Sequence, residues 1–227
     1  MDGARLETKV FAGFAKAASR IGRPFDIYRP ISTSDAIAPA NKLSTLPAAF
    51  TIHTANNFDF TKPSDYDKPL FHALIDPTQI RVGDYLNDPA TTAGPYFVAS
   101  ITSAMPVLAV ACNRVISLYT PGPQNVAEGL SGYGGTMPTT AGNPDGNETA
   151  VLTNWPASLL MRSRSSRDAY LPADTGSGMF RCLIPAFAGV HVRPGSIIVD
   201  DLANRFAVQV AELQDLGWRL DAQQMVT

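Results

Sequence analysis

Charge and cysteine are both scarce in this 227-residue sequence. Only 17% of its residues are charged, and 18 Lys+Arg stand against 20 Asp+Glu for a net charge of −2. That balance excludes the basic footprint of a general nucleic-acid binder. A hydrophobic content of 45% excludes an acidic, solvated disordered chain and is enough to bury a core. Cys112 and Cys182 lie in apolar runs with no CxxC spacing and no neighbouring histidine, so neither a metal site nor a disulfide framework is indicated. Both are expected to be buried free thiols, and the apolar surroundings of Cys112 argue against a nucleophile. No apolar stretch is fit to span a membrane, because residues 101–119 are interrupted by Pro106 and Arg114. The first residues carry Asp2 and Glu7 and lack the apolar core of a secretory signal. The expectation is a soluble protein assembled in the cytoplasm.

Backbone punctuation, by contrast, is abundant, with 17 Gly and 18 Pro. Such density predicts short strands and turns rather than a helical bundle. One helix stands apart: Leu6, Val10, Phe14, Ala17, Ala18 and Ile21 recur at spacings of three or four and share a face. Gly22 and Pro24 are expected to end it. Residues 1–24 are therefore read as a helical unit. Arg5, Lys9, Lys16, Arg20, Arg23 and Arg29 face only Asp2, Glu7 and Asp26 in the first thirty residues. They are read as a solvated face or as a docking face for an acidic protein or nucleic acid.

Residues 25–120 are read as an extended segment followed by a first β-domain. The segment 25–68, cut by Pro30, Pro39, Pro47 and Pro63, has short β-prone pieces and is expected to rest partly against a neighbouring subunit. Strands are predicted at 70–75, 80–86, 96–101 and, as one long element, 107–119. Residues 121–148 contain seven Gly, four Pro, one aromatic residue, Tyr133, and no basic residue. They are read as a spacer between two halves or a projecting functional loop. Residues 149–227 form the second β-domain.

The two halves repeat a pattern. Phe71-His72-Ala73-Leu74-Ile75 leads to Gly83 and then to Phe97; Phe180-Arg181-Cys182-Leu183-Ile184 leads to Gly195 and then to Phe206. From the first Leu to the aromatic is 23 residues in each case. Each unit reads as a strand, a Gly turn, a hairpin with a polar tip (residues 87–94 and 200–204), a core aromatic, and a last strand near Ala109 or Trp218. The fold class predicted is mainly β, two small barrel-like or sandwich-like domains in tandem with an N-terminal helix.

The unit Val82-Gly83-Asp84-Tyr85-Leu86, with Tyr96-Phe97-Val98-Ala99 and Leu108-Ala109-Val110-Ala111-Cys112-Asn113-Arg114-Val115-Ile116, resembles tailed-bacteriophage head–tail connector proteins of the head-completion or stopper type. Residues 194–208 and 216–224 are similar to virion-associated proteins of phage and prophage structural modules. The resemblance implies a ring-forming, non-enzymatic virion subunit of six or twelve copies at the neck or tail. It would contact portal, adaptor or tail proteins and let DNA pass transiently without a membrane. The tandem doubling departs from single, smaller stoppers and leaves the station open among neck, tail and baseplate. A channel wall should not hold DNA tightly, and residues 121–227 carry 7 Lys+Arg against 10 Asp+Glu.

No catalytic, cofactor or metal residue is predicted. His53, His72 and His191 lack metal-ligand spacing, no G-x-S-x-G elbow occurs, and the Gly-rich residues 130–136 lack the Lys of a phosphate loop. Asp200-Asp201 is read as turn chemistry rather than a cation site. The predicted interaction residues are Arg5, Lys9, Lys16, Arg20 and Arg23 on the N-terminal unit, Tyr133 in the Gly/Pro loop, and Arg162, Arg164 and Arg167. The rival reading is a receptor- or carbohydrate-binding tail-fibre or baseplate module using Tyr133, Trp155 and Tyr170. A hydrolase would need a clustered acid/base pair that the sequence does not display.

Overall fold

The computed structural model describes residues 2–52, 69–103, 105–121, 148–161 and 178–225. The chain is mainly β, with one N-terminal helix and two closed six-stranded antiparallel barrels in tandem. Helix α1 (Gly3–Ile21) starts at Asp2, whose Oδ1 accepts the Ala4 amide at 3.3 Å. It stops at Gly22, though not through a left-handed turn. The Gly22 backbone is extended, and a Cβ there would lie 2.5 Å from the Ala18 carbonyl oxygen and 2.9 Å from the Ala48 backbone. Close approach of helix to barrel, not torsional freedom, demands glycine at this point.

The first barrel holds β1 (Arg23–Tyr28), β2 (Lys42–Ile52), β3 (Leu70–Leu74), β4 (Tyr85–Asn87), β5 (Tyr96–Ser100) and β6 (Val107–Ala111) in the order β1-β2-β3-β6-β5-β4. The second holds β7 (Arg114–Pro121), β8 (Glu148–Met161), β9 (Met179–Ile184), β10 (Ile197–Asp200), β11 (Arg205–Gln214) and β12 (Gly217–Gln224) in the order β7-β8-β9-β12-β11-β10. Adding six to every strand number converts one barrel into the other. The repeated pattern of types is thus a repeated topology.

Three expectations are corrected. The stretch 107–119 is two strands, and the chain crosses between barrels at Cys112-Asn113, so residues 114–121 leave the first domain and join the second. Because β7 pairs with β8, residues 121–148 connect two neighbouring strands of one barrel and do not separate the halves. The segment 25–68, read as extended and loop-rich, contributes most of β1 and the 11-residue β2, which pair with each other and with β4 and β3 of the first barrel. Pro24 and Pro47 had obscured that pairing. They stand opposite each other across β1 and β2, and the ladder continues on both sides of them, Arg23 with Ala48 and Phe25 with Leu46.

The repeat is sharpest at the turn before each fourth strand. Gly83 and Gly195 have φ of +91° and +88°, a region open to glycine. Both donate their amide to the fifth strand of the barrel, Gly83 to Val98 O at 2.9 Å and Gly195 to Val208 O at 2.8 Å. The residue after each glycine caps the turn with its side chain. Asp84 Oδ2 accepts the Arg81 amide at 2.8 Å, and Ser196 Oγ accepts the Arg193 amide at 3.3 Å. From these turns the register shows that Phe97 and Phe206 are not equivalents. Tyr85 pairs with Phe97 and Leu86 with Tyr96, whereas Ile197 pairs with Ala207 and Ile198 with Phe206. Tyr96 is therefore the counterpart of Phe206, and both point into their barrels. Phe97 points out of the first barrel, because one step along a strand changes the face.

Two cores result. One fills the first barrel with Phe25, Ile27, Leu46, Ile75, Ile80, Leu86 and Val98. The other fills the second barrel and continues into the layer between barrels, joining Leu118, Ile198, Phe206 and Leu220 to Tyr85, Phe97 and Val110 from the outer face of the first. The Trp155 ring meets Tyr85 edge-on at 6.1 Å and Phe187 at 5.3 Å. Tyr85 Oη donates to the Pro156 carbonyl at 2.8 Å, and Trp155 Nε1 donates to the Thr33 carbonyl at 2.8 Å. The connection between β1 and β2 thus lies on the second barrel, where Ser34 also bridges Thr153.

Candidate functional site

Two surfaces stand out, a cleft between the barrels and the outward face of α1. The cleft has a volume of about 490 Å³ and is mainly apolar. Leu70, Phe97 and Val110 form one wall, and Leu160, Leu183 and Trp218 the other. These walls arise from strands that do not alternate apolar with polar. Tyr96-Phe97-Val98-Ala99 and Cys182-Leu183-Ile184 are apolar on successive residues because each strand is covered on both faces. Arg181 and Arg219 stand in the lining, held by Asp221 at 3.1 Å and Glu212 at 3.2 Å respectively. The volume falls within the range of ordinary small-ligand pockets. Beyond it, the β11–β12 hairpin exposes Val210, Leu213 and Leu216, and Leu216 also lines the cleft.

Helix α1 packs against β2 and β3, and Glu7 accepts a hydrogen bond from Ser103 Oγ at 2.9 Å. Ala18 is buried and Val10, Phe14 and Ala17 are half-buried, as the periodicity predicted, but Leu6 and Ile21 are exposed. The true inward face is rotated toward Glu7, Phe11 and Ala15. Opposite it lie Arg5, Lys9, Lys16 and Arg20. At 100° per residue these four fall within an arc of about 60°. All four are exposed, and among the described residues none belongs to an ion pair. Arg23 does not continue the stripe; it opens β1 and lies 4.0 Å from Asp88.

The other predicted residues are scattered or outside the described part. Tyr133, Arg162, Arg164, Arg167, Tyr170 and His53 lie outside the described residues. Trp155 is no binding surface, since it is 1% exposed at the centre of the shared core. His72 on β3 and His191, exposed in the second barrel, belong to different barrels. Among the described residues no group of three or more His, Cys, Asp or Glu is arranged to hold a metal ion. Asp200 accepts the Leu202 and Asn204 amides at 3.0 and 2.8 Å and the Asn204 side chain at 3.0 Å, which is the turn role expected. Asp201 faces Arg114 at 3.5 Å. Both thiols are buried. Burial pushes the Cys182 thiol up to about 12 and that of Cys112 well above its ordinary value, so both are held as inert thiols.

The cleft and the exposed hairpin were missed in sequence. Their signal was the unbroken apolar runs on β5 and β9, which mark strands covered twice, but a run does not say by what. No protein-family model, curated protein or solved structure matches the chain. Among the described residues no helix is long and apolar enough to cross a membrane.

Proposed function

We propose that this chain is a non-enzymatic structural subunit of a tailed-phage particle, one that self-assembles into a ring in the neck or tail around the path of the DNA. The observation that carries this reading is the doubled barrel. Closing both sheets pairs most strand edges within the chain, and edges are where uncontrolled strand addition begins. A shared core then joins the barrels into one brick. The cationic stripe of α1 and the apolar cleft are side-chain surfaces that such a unit offers for assembly. The resemblance noted at residues 82–116 and 194–224 supplies the particle.

The mass of the purified assembly tests this reading. Six or twelve copies enclosing a channel in electron micrographs are expected. A strict monomer, or a trimer that binds glycans, would overturn it, the latter in favour of a receptor-binding module. The result is sharpened by cross-linking within particles, where portal, adaptor or tail proteins are the expected neighbours.

A further inference from the structure

Resting on that reading, we infer that copies of this chain join head to tail, with α1 of one copy seated on the β11–β12 hairpin beside the inter-barrel cleft of the next. Three observations lead there. First, both sheets close into barrels, so most strand edges are paired within the chain and a contact through α1 is made by side chains. Second, the two barrels of one chain already meet through unlike strands, with Tyr85 of β4 and strand β6 set against β8, and assembly into rings or filaments likewise needs two different patches on each copy.

Third, two different patches with complementary character are present. The outward face of α1 carries Arg5, Lys9, Lys16 and Arg20 without ion-pair partners among the described residues, along about 22 Å of helix at 1.5 Å per residue. Exposed Leu6 and Ile21 flank this stripe at the two ends. The β11–β12 hairpin combines exposed Val210, Leu213 and Leu216 with exposed Glu212 and Asp215. Glu212 is engaged by Arg219 at 3.2 Å, but both side chains are well exposed, and a surface pair of this kind holds its partners weakly. Cationic and apolar character therefore meets acidic and apolar character. Complementary charge sets register and selects the partner, while the apolar residues supply burial. A second copy is favoured over nucleic acid as occupant because phosphates would satisfy the cations but leave the apolar hairpin and cleft uncovered.

Sedimentation of three forms of the full chain tests this: wild type, R5E/K9E/K16E/R20E, and E212K/D215K, with circular dichroism confirming that each is folded. Wild type is expected to assemble, and less tightly as salt rises. Each variant alone should assemble at least ten-fold more weakly. Mixed in equal amounts, the two should assemble again, because each restores opposite charge at every junction. Variants that assemble like wild type overturn this contact while leaving the ring subunit intact as a reading. A wild type that stays monomeric at all concentrations overturns the ring reading and this contact together. If the first variant loses binding to duplex DNA but not assembly, nucleic acid is the occupant and the inference is wrong. Failure of the mixture to recover overturns the pairing of these two patches.

Discussion

At the scale of single residues, the repeat is held by small hydrogen-bonding devices. Gly83 and Gly195 adopt a positive φ at the same point of each barrel, and each donates its amide to a strand. Substituting alanine at either position is expected to destabilise the fold by about 1–2 kcal/mol, the cost of a left-handed torsion for an L residue. Chemical-denaturation midpoints check this, and equal losses at the two sites are expected from their equal geometry. Asp26 is a second device, found in the first barrel. Its carboxylate accepts Lys42 Nζ at 2.6 Å and Thr45 Oγ1 at 2.5 Å. The Lys42 bond foremost, then the Thr45 bond, hold it below its ordinary value of 3.8. A lowered folded value means the stabilisation is fully present above that ordinary value and is lost as pH falls through the folded value. Urea midpoints of wild type and Asp26→Asn measured against pH should thus differ constantly near neutrality and converge in acid. A gap that widens in acid would contradict the assignment.

At the scale of elements, the hairpins show how one side chain organises several backbone groups. Asp88 follows β4 and Asp200 ends β10 at equivalent places, Asp88 accepting the Ala90 amide and Asp200 those of Leu202 and Asn204. Asp200→Ala removes three such hydrogen bonds and is expected to cost about 2 kcal/mol. Hydrogen exchange should show the loss first at Leu202 and Asn204. Much of this level was legible in the sequence. The helix, the two Gly turns, the polar hairpins and the last strand of each half follow from period, turn chemistry and composition. β2 was not, because Pro47 reads as a break, and only the register that sets it opposite Pro24 places it inside a strand. The cationic stripe was seen as a cluster of charge in the first thirty residues. Its alignment on one face of α1, with Arg23 excluded, needed the helix boundary.

At the scale of the molecule, the second barrel and the inter-barrel layer are one core, so the halves should not melt apart. Trp155→Ala is expected to cost about 3–5 kcal/mol. Calorimetry should show one transition moving to lower temperature, because the tryptophan touches both barrels through Tyr85 and Phe187. Two separated transitions would mean that the barrels fold independently.

By itself the sequence determined the class and the doubling. Strand length, turn glycines and hydrophobic pattern are local, and they are written into neighbouring residues twice over. Tertiary structure decided where the halves divide, which aromatics are equivalent, and which apolar faces remain open. A strand such as 96–100 is apolar on both faces whether its outer face meets the other barrel or solvent. One residue of register decides which way Phe97 points. These are relations between segments distant in the chain, so no local pattern encodes them. The cleft exists only because two barrels pack together, with β4 and β6 of the first set against β8 of the second.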